Sequence, residues 1–329
     1  MSALESIHLC IDQCMIDFLA ARDDRQSLSD RIIAAPALAA SARAGTLERV
    51  RDAVEGYLAA DTQRLFHPLK TQTTLGFYHN LKAFGPLANK TVLDFGCGTH
   101  EALAISITLW ANGAKAVIAL DQEAIQWPAL TARFLYDWII HCITEPDRYL
   151  WPDVSREHFV ARLTSLGLAQ LKAGQLEQLY ASLPLHHLCG PAASLSTLPD
   201  GSLSYVLSQS VMEHIQRPSE VLAVLYQKMT GGGLLCFAID YRDHRVYVEG
   251  ASPWQYLVDD GDYLPGYINK LRHNAMLEIF TAQGFRLVSG QLVRQEVPAS
   301  IMAQCLPKYR NLTSEDLETV AAYLIFQRT

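Results

Sequence analysis

The sequence has no run of lysine or arginine, since its 27 basic residues are scattered among 34 acidic ones for a formal charge of -7 over 329 residues. Without a basic stripe there is no electrostatic footprint for a nucleic-acid backbone or an anionic membrane, so neither partner is expected. No apolar stretch approaches the ~20 residues of a membrane helix. The opening MSALESIHLCIDQC also lacks the basic start and apolar run of a secretory leader, so a cytoplasmic protein is expected. Cysteines are few and odd in number: Cys10, Cys14, Cys97, Cys142, Cys189, Cys236 and Cys305 lie far apart, mostly in apolar runs. That pattern argues against a disulfide framework and fits thiols kept reduced. Internal repeats and low-complexity tracts are also missing. What the chain does have is apolar residues, 50% of it, enough for one large elaborated domain or two small ones.

Apolar positions recur at helical spacing from residue 2 to about 90, as in Leu4, Ile7, Ile11 and Met15 and again in Leu47, Val50, Val54 and Leu58. Residues 1–90 therefore read as an N-terminal helical layer that covers the rest. The pattern then changes to short apolar runs flanked by Gly, Asp and Asn: TVLDFG (91–96), AVIALD (116–121), LSYVLS (203–208) and GLLCFAID (233–240). Separated by helical stretches, such runs predict parallel strands of an α/β sheet spanning 91–329. Between the second and third lie about 80 residues, more than one crossover requires. Helical spacing around Trp127, Leu130, Phe134, Trp138, Phe159, Leu163, Leu166, Leu171 and Leu179 predicts a helical insertion over about 122–184, acting as a cap. PLHHLCG (184–190) then supplies a further strand. Residues 241–268 read as a long irregular loop of the kind that carries function. A helix follows over 269–282, ended by Gly284, with FRLVSGQLV and VAAYLIFQR as a closing antiparallel pair.

The stretch VLDFGCGTHEA (92–102) runs from a strand through two glycines toward a helix, a ligand-binding turn in an open sheet. A dinucleotide turn needs a third glycine where Glu101 stands, and Glu101 and Asp94 would repel a pyrophosphate. A nucleotide P-loop is excluded too, because the turn has no lysine. Asp94 suits a cationic amine instead, and Asp121, at the end of the next strand, suits ribose hydroxyls. S-adenosylmethionine carries both groups. HHLC (186–189) lacks a second ligand pair and lies in a strand-like run, so no metal site is expected there.

These motifs resemble the class I S-adenosylmethionine-dependent methyltransferases. VLDFGCGTHE is similar to that family's glycine motif and VIALDQ to its ribose-binding acid. The stretch from LPDGSLSYVLSQSVMEHI to GGGLLCFAID resembles its fourth strand, following helix and fifth strand, and GFRLVSGQLV with AAYLIFQR its final antiparallel pair. The resemblance covers roughly 75–329, less the insertion. It implies a Rossmann-like seven-stranded sheet, with Asp94, Gly96 and Gly98 toward the methionine part of the cofactor and Asp121 and Gln122 toward the ribose. Ser208 and Gln209 would flank the sulfonium, and the adenine would lie near Ser194, Leu195 and Ser196. Two positions depart from the family pattern. Ser204 stands where an aspartate is common, and GPAASL lacks the usual acid beside the adenine.

Methyl transfer displaces a sulfonium, so the protein has to align the acceptor, exclude water and take up a proton. Catalytic candidates are His214, Asp243 and Tyr241, with Glu213 and His244 as further bases. Asp243 and Arg272 form an expected ion pair, because IDYRDH and YINKLRH resemble stretches of methyltransferases found beside sugar and polysaccharide genes. Tyr241, Tyr247, Trp254, Tyr256, Tyr263 and Tyr267 form an expected aromatic wall at this edge. Three functions stay open. The first is methyl transfer to a small molecule, a secondary metabolite or sugar-type acceptor. The second is cyclisation of S-adenosylmethionine itself to azetidine-2-carboxylate and methylthioadenosine, and the third is a non-catalytic cofactor-binding module. The oligomeric state is left open.

Overall fold

Runs of valine, leucine and isoleucine that are buried on both faces set the centre of the sheet. In a computed structural model of the chain, β1 (Thr91–Phe95), β2 (Ala116–Asp121), β4 (Leu203–Gln209) and β5 (Met229–Asp240) each bury four or more residues in succession. Continuous burial of this kind belongs to strands covered on both sides. With β3 (Leu185–Cys189), β6 (Phe285–Arg294) and β7 (Thr319–Arg328) they make one seven-stranded sheet, order β3-β2-β1-β4-β5-β7-β6. β1, β4 and β5 are mutually parallel, whereas β7 runs antiparallel to both β5 and β6. PLHHLCG supplies β3, and the closing pair is antiparallel, as the sequence predicts. β5 starts at Met229, earlier than the apolar run suggests, because Met229 already pairs with Leu203 of β4, ahead of a bulge that takes up Gly231, Gly232 at φ +75° and Gly233.

The structure describes residues 85–329 apart from 100, 101, 127, 178, 180–182, 249 and 262–266. The predicted N-terminal layer lies outside the described residues as far as residue 84, as do Glu101, Trp127 and Tyr263. The remainder forms two units. One takes Cys97–Ala116 and Glu123–His187 together with the described chain up to Asn89; the other takes Lys90–Gly96, Val117–Gln122 and Leu188–Thr329.

The first unit is helical: α1 (Ala104–Ala111), α2 (Pro128–Thr144), α3 (Arg156–Thr164) and α4 (Leu168–Lys172). Seven of the eight residues of α1 are buried, as expected for a helix that is apolar on every side. On α2 the buried Leu135, Trp138, Ile139 and Cys142 follow helical spacing, and Phe159, Leu163, Leu166, Leu171 and Leu179 are buried as well. Trp138 Nε1 donates to Thr108 Oγ1 at 3.0 Å. The buried Asn112 amide donates to the Tyr149 carbonyl and accepts from the Trp151 N–H, which fixes the turn between α2 and α3. No helix among the described residues is long and apolar enough to cross a membrane.

In the second unit, α5 (Pro218–Lys228) and α7 (His273–Ala282) pack Leu222, Leu225, Met276 and Phe280 into one core with Val206, Leu235, Phe237 and Phe326 of the sheet. Phe280 and Phe326 stack at 4.2 Å. α7 begins at His273, four residues later than the spacing predicts, and Gly284 follows it with φ +86°. The stretch 241–268 holds more structure than a loop, with α6 (Arg245–Val248) and a short turn of helix at Gln255–Leu257. Here Trp254, Tyr256, Leu257 and Ile268 gather with Cys305, Tyr309, Leu317 and Val320 in a second small core. α8 (Ala299–Gln304) and α9 (Ser314–Glu318) complete this unit.

Candidate functional site

The carboxyl ends of β1, β4 and β5 lie along one edge of the sheet, because the three strands are parallel. That edge is where open α/β sheets take ligands. Asp94, near the end of β1, is buried opposite Leu207 of β4. Just past β1, Gly96 donates its N–H to the Leu120 carbonyl at 2.7 Å, which brings the end of β2 alongside. Gly96 has φ +79°, and a Cβ built on it would overlap the Val211 side chain that follows β4. Glycine is required here twice over, for its backbone angle and for the close approach. Gly98 has φ +86°, and a Cβ built on it would meet nothing within 4 Å, so its requirement is conformational alone. Asp121 ends β2, half-buried, with its carbonyl accepting from Gly190 at 2.8 Å, and Gln122 beyond it is exposed. Ser194, Leu195 and Ser196 lie in a short turn of helix, Ala192–Thr197, in which Leu195 is buried in the core.

The end of β4 is the most unusual part of this edge. Ser208 Oγ and Gln209 Oε1 are buried with no hydrogen-bond partner among the described residues. Ser210, next in the chain, takes φ +53° while donating to the Ala238 carbonyl of β5. A left-handed serine between a strand and its following turn is local strain of the kind found at ligand clamps. Three residues on, Glu213 is buried; one carboxylate oxygen accepts from the Asp240 N–H at 3.3 Å, while Oε2 has no partner among the described residues. Burial, with the Asp240 carboxylate beside it, holds the Glu213 carboxyl well above the usual carboxylate range.

His214 and His244 meet beside Glu213 with ring centroids 4.7 Å apart. His214 is exposed, and its Nδ1 lies 2.7 Å from the Tyr267 carbonyl, which fixes Nδ1 as the protonated nitrogen and leaves the lone pair on Nε2. His244 is buried with Nε2 3.9 Å from Asp240, and burial lowers its pKa against the pull of that carboxylate. Asp240 in turn accepts from Tyr247 Oη at 2.5 Å and from Arg242 at 3.2 Å. Glu213, His214 and His244 each present a donor atom within 4.8 Å of the others. His186, His187 and Cys189 are instead strung along β3.

Tyr241 and Asp243 lie close in sequence to this cluster but make other contacts. Tyr241 is buried with its hydroxyl 3.3 Å from His273 Nδ1, and burial pushes its phenol far up. The expected pairing of Asp243 with Arg272 does not form. Asp243 is gripped on both oxygens by Arg245, which also reaches Asp259 at 2.7 Å. Arg272 is buried and gives its guanidinium to the carbonyls of Tyr241, Asp316, Leu317 and Thr319 and to Tyr256 Oη. Arg245 is only two positions from Asp243, so the nearer arginine reaches it first. The expected aromatic wall divides as well: Tyr241, Trp254 and Tyr256 are buried in cores, and Tyr247 and Tyr267 are exposed.

Ser210 gave no sequence signal, since a serine in the left-handed region looks like any other serine. Comparison with known proteins matches residues 57–290 to the methyltransferase-domain family. Among curated proteins none matches. Solved structures similar to this chain include an S-adenosylmethionine-dependent methyltransferase from Mesorhizobium loti, 14% identical over 76% of this chain and 96% of that one, TM-score 0.41. Geranyl diphosphate methyltransferase in complex with S-adenosylmethionine is 10% identical over 78% and 85%, TM-score 0.45. The [4+2]-cyclase SpnF is 15% identical over 76% and 79%, TM-score 0.41. The family match spans well over half of the chain, and it agrees with a seven-stranded sheet closed by an antiparallel pair and with a glycine turn beneath the end of β4. The chain belongs to the methyltransferase-domain family, an S-adenosylmethionine-dependent family of Rossmann-like α/β fold.

Proposed function

We propose that this protein transfers the methyl group of S-adenosylmethionine to a small molecule. Asp94, Gly96, Gly98, Asp121, Gln122, Ser208 and Gln209 hold the cofactor on this reading, and His214 takes the acceptor's proton. The observation that carries it is the pair of orphaned polar atoms, Ser208 Oγ and Gln209 Oε1, beside a glycine turn packed on Val211. A buried polar atom without a partner costs about 1–3 kcal/mol. A ligand with polar groups at this edge would remove that penalty, and the residues present fit S-adenosylmethionine. Asp94 offers a carboxylate to its amine and Asp121 one to its ribose hydroxyls, each a charge-assisted contact.

Bound S-adenosylmethionine supplies a methyl carbon already activated by its sulfonium sulfur. The side chains therefore need only orient an acceptor in line with that carbon, keep water away and receive a proton. His214 Nε2 is suited to the last task, because Tyr267 holds the other nitrogen as the donor and the ring is exposed at the sheet edge. On this reading Asp243 and Tyr241 act through the scaffold, holding α6 and α7 in place. The test separates the products formed from S-adenosylmethionine with and without candidate acceptors. Accumulation of S-adenosylhomocysteine that requires an acceptor supports methyl transfer. Methylthioadenosine with an equimolar cyclic amino acid, formed without any acceptor, overturns it in favour of cofactor cyclisation. Cofactor binding without turnover of any acceptor overturns it in favour of a binding module.

A further inference from the structure

The cluster of Glu213, His214 and His244 has a composition and geometry that proton transfer alone does not need. We infer that these three residues bind a divalent first-row transition metal ion, of the zinc, cobalt or manganese kind, beside the cofactor edge of the sheet. Two imidazoles and one carboxylate are a donor set that such ions take, and their donor atoms already lie within 4.8 Å of one another. Tetrahedral ligands with bonds of ~2.1 Å stand about 3.4 Å apart, so side-chain shifts of roughly an ångström close the site.

Two further observations point to a cation. The first is Glu213 itself, buried, with Oε2 lacking any hydrogen-bond partner among the described residues, and with a carboxylate oxygen within 4.8 Å of both imidazoles. Asp240 nearby is matched by Arg242 and Tyr247, whereas no cationic side chain is paired with Glu213 among the described residues. A buried carboxylate of this kind needs either a proton or a metal. The second is the Tyr267 carbonyl on His214 Nδ1, which is the contact that metal-bound histidines use to present the other nitrogen. His214 is exposed, which gives an ion a route in. Carboxylate and imidazole together disfavour magnesium and calcium, which prefer all-oxygen sites.

Three protein donors leave coordination positions open. Combined with the methyl-transfer reading, on which this last step rests, an acceptor hydroxyl could fill one of them and lose its proton more readily there, the ion taking over the proton step from His214, whose Nε2 lone pair it would occupy. The hydroxyl oxygen would then attack the methyl carbon as the carbon–sulfur bond breaks, and the proton would leave to solvent.

The experiment titrates metal-stripped full-length protein with Co2+, followed by its visible absorption, and with Zn2+ by calorimetry, both without S-adenosylmethionine. One equivalent should bind, unaffected by excess Mg2+. His214→Ala, His244→Ala and Glu213→Gln should each weaken binding by more than ~100-fold, beyond the loss typical of outer-shell changes. His214 is exposed, so its variant keeps the fold even if the buried ones fail. His186→Ala and His187→Ala should bind as the wild type does. No saturable uptake by the wild type, or equal uptake by His214→Ala, overturns the inference and leaves Glu213 as a protonated buried acid. Cofactor binding is measured separately, so retained S-adenosylmethionine binding without metal uptake sinks the metal site alone. Metal uptake without cofactor binding sinks the methyltransferase reading alone.

Discussion

Two neighbouring strands end on the same edge of the sheet, and the chain leaves them in opposite chemical states. After β4, Ser208, Gln209 and Glu213 each bury an oxygen that no described residue satisfies, and Ser210 is held at a positive φ. After β5, Asp243 is gripped twice by Arg245, and Arg272 spends its donors on four carbonyls and a tyrosine hydroxyl. Both segments carry an acid, a histidine and an arginine, so the presence of charge alone does not separate them. What separates the β4 oxygens from the Arg245 and Arg272 groups is satisfaction. Polar groups whose bonds are complete hold the fold, and those left incomplete beside a glycine turn are available to a ligand.

The largest effect expected from this contrast is at Arg272. Replacing it with Met takes a donor from four buried carbonyls, of which those of Tyr241 and Leu317 keep Tyr256 Oη and Trp254 Nε1; each group left without a donor costs about 1–3 kcal/mol. Denaturant unfolding should show a loss of more than about 3 kcal/mol, or no soluble protein at all. Ser208→Ala is the opposite case, because it removes a group that is already unsatisfied. Its stability should stay within about 0.5 kcal/mol of wild type while S-adenosylmethionine binds up to about tenfold more weakly. A Ser208→Ala protein that loses as much stability as Arg272→Met would break the comparison.

A third effect is on turnover. His214→Ala should lower kcat with little change in cofactor affinity, whereas Asp243→Asn should lower stability first and turnover only in proportion. Steady-state kinetics with cofactor titration distinguish the two, and equal kcat losses at equal stability would return Asp243 to the chemistry.

The smallest effect is a pH dependence on the scaffold side. Burial holds the His273 imidazole below its ordinary value of 6.5, against the pull of Asp316. The unfolded chain then binds this proton more tightly than the folded one, so the contribution is full above pH 6.5 and fades as pH falls through that value. Wild type should lose more stability than His273→Gln between neutral and mildly acid pH, as read from urea midpoints.

The sheet was legible because continuous apolar runs of strand length, bounded by Gly and Asp, form little besides buried strands. The gap between AVIALD and LSYVLS even required the strand that Leu185–Cys189 supplies. The places of Asp94, Gly96 and Asp121 at strand ends were legible because the apolar runs they close are strands. The scaffold of 241–272 was not, since its bonds run from Arg272 and Trp254 to backbone carbonyls, and carbonyls leave no mark on a sequence. Arg245 was overlooked for a related reason, because a pairing inferred from resemblance outranked a nearer partner. Glu213 was visible as an acid, but its burial depends on the turn that Ser210 makes, and nothing in the residue type announces that turn.

The central claim is that the edge formed by β1, β2 and β4 binds S-adenosylmethionine. Calorimetric titration of the cofactor into wild type and Asp121→Ala tests it most directly, since the variant loses a charge-assisted acceptor for the ribose hydroxyls while the core stays intact. Such bonds contribute about 1.5–3 kcal/mol. One saturable site is predicted in the wild type, with at least about tenfold weaker binding in the variant. Wild-type affinity in Asp121→Ala would contradict it.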